Sequence, residues 1–327
     1  MTGGESLVNP GRIGLIATAV QSAVDISKLR ESKAEEELSE IEDKADEEGN
    51  QESDAEYEDG KLADVADHFH SHFVQPTKAL IESIPLARHR KWHTHKYKSG
   101  EGNGTNVEIF TASDESVSIP SKLPDITIND MKLKKKLLRS GEEVLQHLHG
   151  ESQAMLPYVF GYQDVLFTLS SVDNVASTRK MLGLHILNHI FKTRDTIIKN
   201  SARVSAAKND EVDVDCRDQG YTRPKVLVVL ETRQACYKFL MILSALANVD
   251  QEENKKRLRD DFYLPEDKFG EDKAADFREL FEGNADNDFR IGVKFTRKSI
   301  KYFSRFYSAD IILGSPLGLR RVMNPEK

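Results

Sequence analysis

Residues 225–248 read KVLVVLETRQACYKFLMILSALAN, and this stretch decides the fold. The segment Lys225–Leu230 is apolar at nearly every position and rich in valine, the pattern of a strand covered on both faces. From Gln234 to Asn248 the spacing turns helical, with Tyr237, Leu240, Met241 and Leu243 facing inward. Cys236 falls inside this helix and is expected in the core. A buried strand running straight into a helix is half of a β-α-β unit.

The same alternation extends outward. DVLFTLS (164–170), FRIGVKF (289–295) and ADIILGS (309–315) are three more short apolar runs. Lys180 to Lys199 carries Met181, Leu184, Leu187, Ile190, Phe191 and Ile197 at helical spacing. The expected architecture is therefore α/β, with a doubly wound parallel sheet. The polar stretch 249–288 is expected as an insertion on one unit. In such a sheet, ligands bind at the carboxyl ends of the strands.

Upstream the composition shifts. Residues 31–60 hold 15 Asp/Glu and 2 Lys/Arg, so this segment alone exceeds the net charge of −8 carried by all 327 residues. It lacks the apolar surface needed to offset ordering entropy, and 28–60 is read as an acidic disordered linker. Residues 1–27 are read as a short N-terminal helix or disordered, with no cleavable signal. Residues 61–150 are read as a peripheral wrapping segment with helices, including 64–73, 77–84 and 129–149, the last capped by Gly150. Within it MKLKKKLLR (131–139) suits an amphipathic helix, with nuclear import as the other reading.

Several classes of chemistry are not supported. Two cysteines, Cys216 and Cys236, allow neither a disulfide framework nor a four-thiolate zinc site. His68, His70, His72, His89, His93 and His95 have no carboxylate or thiolate set to complete a metal site, so no metal and no cofactor are expected. No apolar run is long enough to span a membrane. SSVDNVASTRK (170–180) follows the first expected strand where a phosphate loop would stand, but it has no glycine and carries Asp173. RHRKWHTHKYK (88–98) invites contact with RNA or an acidic protein, with Trp92 either stacking on a base or anchoring the segment in a protein groove.

The run from Phe289 to Ser308 holds six Lys/Arg and no acid. Arg297, Lys301 and Arg305 are spaced i, i+4 and i+8, one face of a helix. That face is either an ordinary solvated one or a surface for a nucleic-acid backbone. Spacing does not separate these.

FRIGVKFTRKSIKYFSRFYSADIILGSPLGLR (289–320) with RDQGYTRPKVLVVL (217–230) closely resembles the U3 small nucleolar RNA-associated protein 25 family, also called digestive organ expansion factor. LGLHILNHIFKTRDTIIKN (182–200) fits the same family; DHFHSHF and MLPYVFGYQDVLFT add weaker support. The resemblance implies a degenerate DEAD-box scaffold: a partial RecA-like, P-loop-NTPase-like parallel sheet with flanking helices, occupying 151–327. It implies a non-catalytic factor of the small-subunit processome in the nucleolus. Such a factor is needed for early pre-rRNA cleavage toward 18S rRNA, and its partners are pre-rRNA, U3 small nucleolar RNA and processome proteins. An active ATP-dependent RNA helicase and a protein-only adaptor are the alternatives.

The resemblance also implies sites. LETRQ (230–234) stands where helicases carry P-T-R-E-L, with Thr232 and Arg233 matching and Glu231 replacing proline. Ser315, Pro316 and Gly318 stand where they carry T-P-G-R, with Arg320 or Arg321 for charge. Together with Lys294, Arg297, Lys298, Lys301 and Arg305, these are the expected RNA-binding residues. The chain stops at Lys327, before the D-E-A-D-like strand the family pattern leads one to expect. A truncated first RecA-like domain with an open sheet edge and low stability in isolation is therefore expected.

Overall fold

The structure is a computed structural model describing residues 67–76, 78, 81–82, 91–99, 105–111, 126–207, 223–266, 268–270 and 272–323. The expectations for 1–27, for 28–60 and for most of 77–84 lie outside these residues. The described residues all lie in one unit, Leu62–Lys327.

The central sheet has five strands: β3 (Val226–Val229), β4 (Gln251–Glu253), β5 (Arg290–Phe295), β6 (Ser299–Ser304) and β7 (Ile311–Gly314), in the spatial order β3-β7-β5-β6-β4. β3 runs parallel to β7 and β4 parallel to β6, but β5 is antiparallel to both its neighbours. The sheet is thus mixed, which corrects the all-parallel expectation. A separate hairpin, β1 (His93–Ser99) with β2 (Thr105–Thr111), stands upstream.

The largest correction falls on 296–308, expected as a helix. It forms the β5–β6 turn, strand β6 and a short 3-10 turn, Phe306–Ser308. Thr296 and Ser299 close the turn: the Thr296 amide donates to the Ser299 carbonyl (2.9 Å), and the Ser299 amide donates to Thr296 Oγ1 (3.0 Å). Ile300 and Tyr302 then bury at period two. Ile300, Phe303 and Tyr307 also satisfy helical spacing, so the pattern alone is ambiguous. The partner strand β5, with Ile291, Val293 and Phe295 buried, resolves it.

The run 164–170 is not a strand. Val165, Leu166 and Leu169 are exposed, and the Leu169 carbonyl accepts from the Asn174 side chain at 2.8 Å, leading into the helix Val172–Ala207. An apolar run becomes a strand only where a sheet edge accepts it. Nor is 249–288 merely a polar insertion. It supplies β4, α5 (Lys255–Phe262, burying Leu258 and Phe262) and α6 (Ala275–Phe281).

Around the sheet stand α1 (Leu138–Gln146), α2 (Gly150–Phe160), the long α3 (Val172–Ala207), α4 (Arg233–Ala247) and α7 (Pro316–Met323). α4 starts on Thr232, whose side chain accepts from the Ala235 amide (3.2 Å), and ends on Asn248 in the left-handed region. Its Cys236, Phe239, Leu240 and Leu243 are buried; Tyr237 and Met241 pack at the core's margin. α3 buries Met181, Leu184, Leu187 and Ile190. Gly183 lets α4 close on it, since a Cβ there would stand 3.2 Å from both Leu243 and Leu246.

Residues 126–148 belong to this same core, which corrects the peripheral reading of that part. Met131, Leu133, Leu137, Val144 and Leu148 are buried, and buried Asn188 of α3 accepts from the Lys134 amide at 3.0 Å. Gly150 (φ 58) opens α2 and does not cap the preceding helix. Farther upstream, Phe69 and Phe73, in and beside a π-helical turn (His70–Val74), pack on Tyr162 and His189, and Lys192 grips Asp67 at 2.8 Å.

Along β3, Leu227 and Val229 are 59% and 51% exposed. β3 is the end strand of the sheet, and its burial alternates, so its apolar run is covered on one face only, which corrects the expectation of a strand covered on both.

Candidate nucleic-acid interface

The parallel pair β3 and β7 delivers two helix N-termini to one end of the sheet. In each case the capping residue is buried. Thr232 caps α4, as above. Ser315, fully buried, accepts from the Gly318 amide at 2.9 Å and donates to the Asn287 carbonyl. Gly318 is required by packing, since a Cβ there would lie 2.0 Å from the Phe289 carbonyl oxygen.

Helix N-termini attract anions because their first N–H groups lack partners. At α4 those donors are taken. The Arg233 amide donates to the Asp286 carbonyl (2.9 Å), and the Gln234 amide to the Asn284 carbonyl (3.0 Å). The segment 284–289 crosses both helix starts, for the Ser315 amide donates to the Phe289 carbonyl at 3.1 Å. Its acids face the same place. Arg233 Nε meets Asp286 Oδ2 at 2.9 Å, Arg233 Nη2 meets the Asp288 carbonyl at 2.9 Å, and Arg321 pairs with Asp288. The Asp288 amide and Arg233 hold the Asp286 carboxyl below the usual carboxylate range. The chain's own carbonyls and carboxylates thus sit where the resemblance implied an RNA backbone.

Gln234 fastens this segment. Almost fully buried, its Oε1 accepts from the Leu264 and Asn284 amides (3.2 and 3.3 Å), and its Nε2 donates to Glu266 Oε1 (3.0 Å). Gly283, at φ 73, packs directly on it. Lys238 binds Glu266 and Glu279; burial works against its cation, but the two carboxylates outweigh that and raise its pKa.

The basic run divides between places. β5 carries the chain from beside Gly314 to the far end of the sheet, about 17 Å at strand rise. There Arg297 and Lys298 are exposed at the tip of the β5–β6 turn. Lys136 Nζ donates to the Arg297 carbonyl at 3.3 Å. Burial, with the nearby Arg194 cation adding, lowers the Lys136 pKa against the pull of Asp250. Lys135 is exposed beside it, so cations from three parts of the chain meet at this end.

Lys294 is 4% exposed, and Lys301, opposite it in the β5–β6 register, is half-buried and paired with Glu253 at 3.3 Å. Arg305 is exposed beyond β6; Pro316 and Arg320 are exposed on α7 at the other end. The structure therefore does not gather the expected residues into one surface. Arg297 and Lys298 stand together. Thr232, Arg233, Ser315 and Gly318 serve the architecture. Gln234, Asp286 and Lys136 escaped the sequence reading; the chemistry of Gln234 and Asp286 appears only when 284–289 is folded over the helix starts. Among the described residues, no group of His, Cys, Asp or Glu comes together to hold a metal ion, and no helix is long and apolar enough to cross a membrane.

The described fold is a mixed α/β sheet in which a capped helix follows each of the adjacent parallel strands β3 and β7. The matching family model is "UTP25, NTP hydrolase-like domain", over residues 162–327. The chain belongs to the UTP25 family. It is 42% identical over 270 residues to the U3 small nucleolar RNA-associated protein 25 of Pyrenophora teres f. teres, covering 82% of this chain and 39% of that one. Its namesake in Leptosphaeria maculans is 46% identical over 256 residues (78% and 34%), and that of Neurospora crassa 41% over 273 (83% and 35%). The chain thus spans about two-fifths or less of the length of these relatives. No solved structure matches.

Proposed function

We propose that this chain is part of a non-catalytic ribosome-biogenesis factor of the small-subunit processome. In this reading it acts in the nucleolus, in the early pre-rRNA processing that leads to 18S rRNA. It associates there with U3 small nucleolar RNA, pre-rRNA and processome proteins. The observation that carries the reading is family membership: relatives sharing about two-fifths of their aligned residues bear the name U3 small nucleolar RNA-associated protein 25.

The scaffold in this reading descends from a RecA-like helicase domain and does not turn over nucleotide. Two features support that: the absence of a G-x-x-x-x-G-K-[ST] sequence, and the donors at the start of α4 satisfied by Asn284 and Asp286. RNA-backbone contact is assigned to the far end of the sheet, at Arg297 and Lys298, where cations converge in solvent.

Recovery of U3 RNA with the tagged chain from nuclear extract tests the reading. Enrichment of U3 over an unrelated abundant nuclear RNA is expected. Equal recovery of both RNAs would overturn it.

A further inference from the structure

Trp92 is the only tryptophan in the chain, and it stands in solvent at the start of the β1–β2 hairpin, 63% exposed. The register pairs Thr94 with Phe110 and Lys96 with Glu108. Side chains two apart on a strand share a face. Thr94 and Lys96 therefore share one face with Phe110 and Glu108, and Trp92, one residue before the strand, stands two positions from Thr94 in the same alternation. Every one of them is exposed, Phe110 to 57%, whereas His95, Val107 and Ile109 on the other face are half-buried. β2 lies beside α2.

Two large rings held diagonally across a two-stranded ribbon, in water, mark an interaction surface. The charge beside them indicates the partner. From Arg88 to Lys98 the sequence has five Lys/Arg and no acid. The acid across from this run is Glu108, which pairs with Lys96 at 2.8 Å and holds it on the outer face. Cations interleaved with flat, exposed rings complement a polyanion that itself presents flat faces. That is the chemistry of single-stranded nucleic acid, whose bases stack on aromatic side chains while phosphates meet lysine.

We propose that the outward face of the β1–β2 hairpin is a stacking platform for single-stranded RNA, with Trp92 and Phe110 taking bases and Lys91 meeting the backbone. The proposal rests on the RNA-associated reading above and adds a second contact surface to the β5–β6 turn.

The single tryptophan makes the test direct. The full chain is titrated with a dodecamer of uridylate, following tryptophan emission and, in parallel, the anisotropy of a labelled copy of the RNA. Saturable quenching of Trp92 is expected at the RNA concentrations where anisotropy rises. Trp92→Ala and Phe110→Ala are each expected to weaken binding about tenfold, and Trp92→Phe much less, since a ring is retained. Both positions are exposed, and circular dichroism melts verify that the variants fold. Binding by anisotropy with no quenching, and with both alanine variants unchanged, overturns the platform while leaving the RNA reading standing. No binding by anisotropy overturns both. Poly-L-glutamate binding as tightly as the RNA, with equal sensitivity to Trp92→Ala, assigns the face to acidic protein and also overturns the proposal.

Discussion

Arg233 engages Asp286 twice: its Nε lies 2.9 Å from the Asp286 carboxylate, and its own amide donates to the Asp286 carbonyl. One residue of the connecting segment thereby occupies both the first amide donor of α4 and the cation that family resemblance would direct at RNA. The guanidinium also lies over the Phe262 ring, 5.1 Å from its centroid. Arg233→Ala is expected to destabilise the chain by about 1 kcal/mol, because it removes the hydrogen bonds to the Asp286 carboxylate and to the Asp261 and Asp288 carbonyls together with the contact on Phe262. Arg320→Ala, exposed on α7, is expected within about 0.5 kcal/mol of the parent. Urea unfolding of the two variants measures the difference, and equal destabilisation would contradict the assignment.

Gly318 makes a second, purely steric prediction. Any Cβ there would overlap the Phe289 carbonyl, so α7 or β5 must shift. Gly318→Ala is expected to cost about 1–3 kcal/mol, the usual penalty of overpacking. Thermal melts of the full chain check this; an unchanged midpoint would show that α7 moves freely.

The docked segment 67–76 predicts a pH dependence. Burial, with nearby cations, pushes His185 and His189 down to about 4 from the ordinary 6.5. His189 shares a hydrogen bond with the Tyr162 hydroxyl at 3.1 Å. Because the folded values lie below the unfolded ones, the unfolded chain binds more protons between about pH 6.5 and 4. Stability is therefore full above that window and falls as pH drops through it, by up to about 3 kcal/mol per histidine. Melting temperature followed from pH 7 to 5 is expected to fall, and His189→Phe to flatten the curve. A flat parent curve over that range would refute the buried-neutral state.

The exposed face of β3 predicts tolerance. Leu227→Lys and Val229→Lys are each expected to change stability by no more than about 0.5 kcal/mol. They are also expected to reduce self-association, since charge on an edge strand blocks strand pairing. Sedimentation and urea unfolding report both. Destabilisation as large as that from replacing a buried leucine such as Leu313 would mean that this face is covered.

Much of the fold was legible in the sequence, and its failures have physical causes. The strand and helix of 225–248 lie where they are read, because valine-rich pairing and the Thr232 cap agree locally with the tertiary fold, but the strand is covered on one face and not on both. The long helix of α3 was equally plain from Met181, Leu184, Leu187 and Ile190. The run 164–170 misled because its local pattern is strand-like, while the sheet offers it no edge. The run 296–308 misled because Ile300, Phe303 and Tyr307 fit helical spacing, whereas the deciding pattern is Ile300 and Tyr302 opposite β5. The site was less legible. Ser315 and Gly318 fit a helicase motif, yet each is fully explained by its packing on 287–289. Such packing comes from residues distant in sequence and leaves no local signature.

In the proposed reading, a family scaffold whose α4 N-terminus is closed by its own chain meets RNA at the opposite end of its sheet. This claim is tested most directly by the salt dependence of binding to a U3 RNA fragment. For the Arg297→Ala/Lys298→Ala double variant, the slope of log affinity against log salt is expected to fall by about 0.7 for each phosphate that is no longer neutralised. Arg320→Ala, at the closed end, is expected to leave the slope unchanged. A double variant with the parent slope, or an Arg320→Ala variant with the larger change, would contradict the claim.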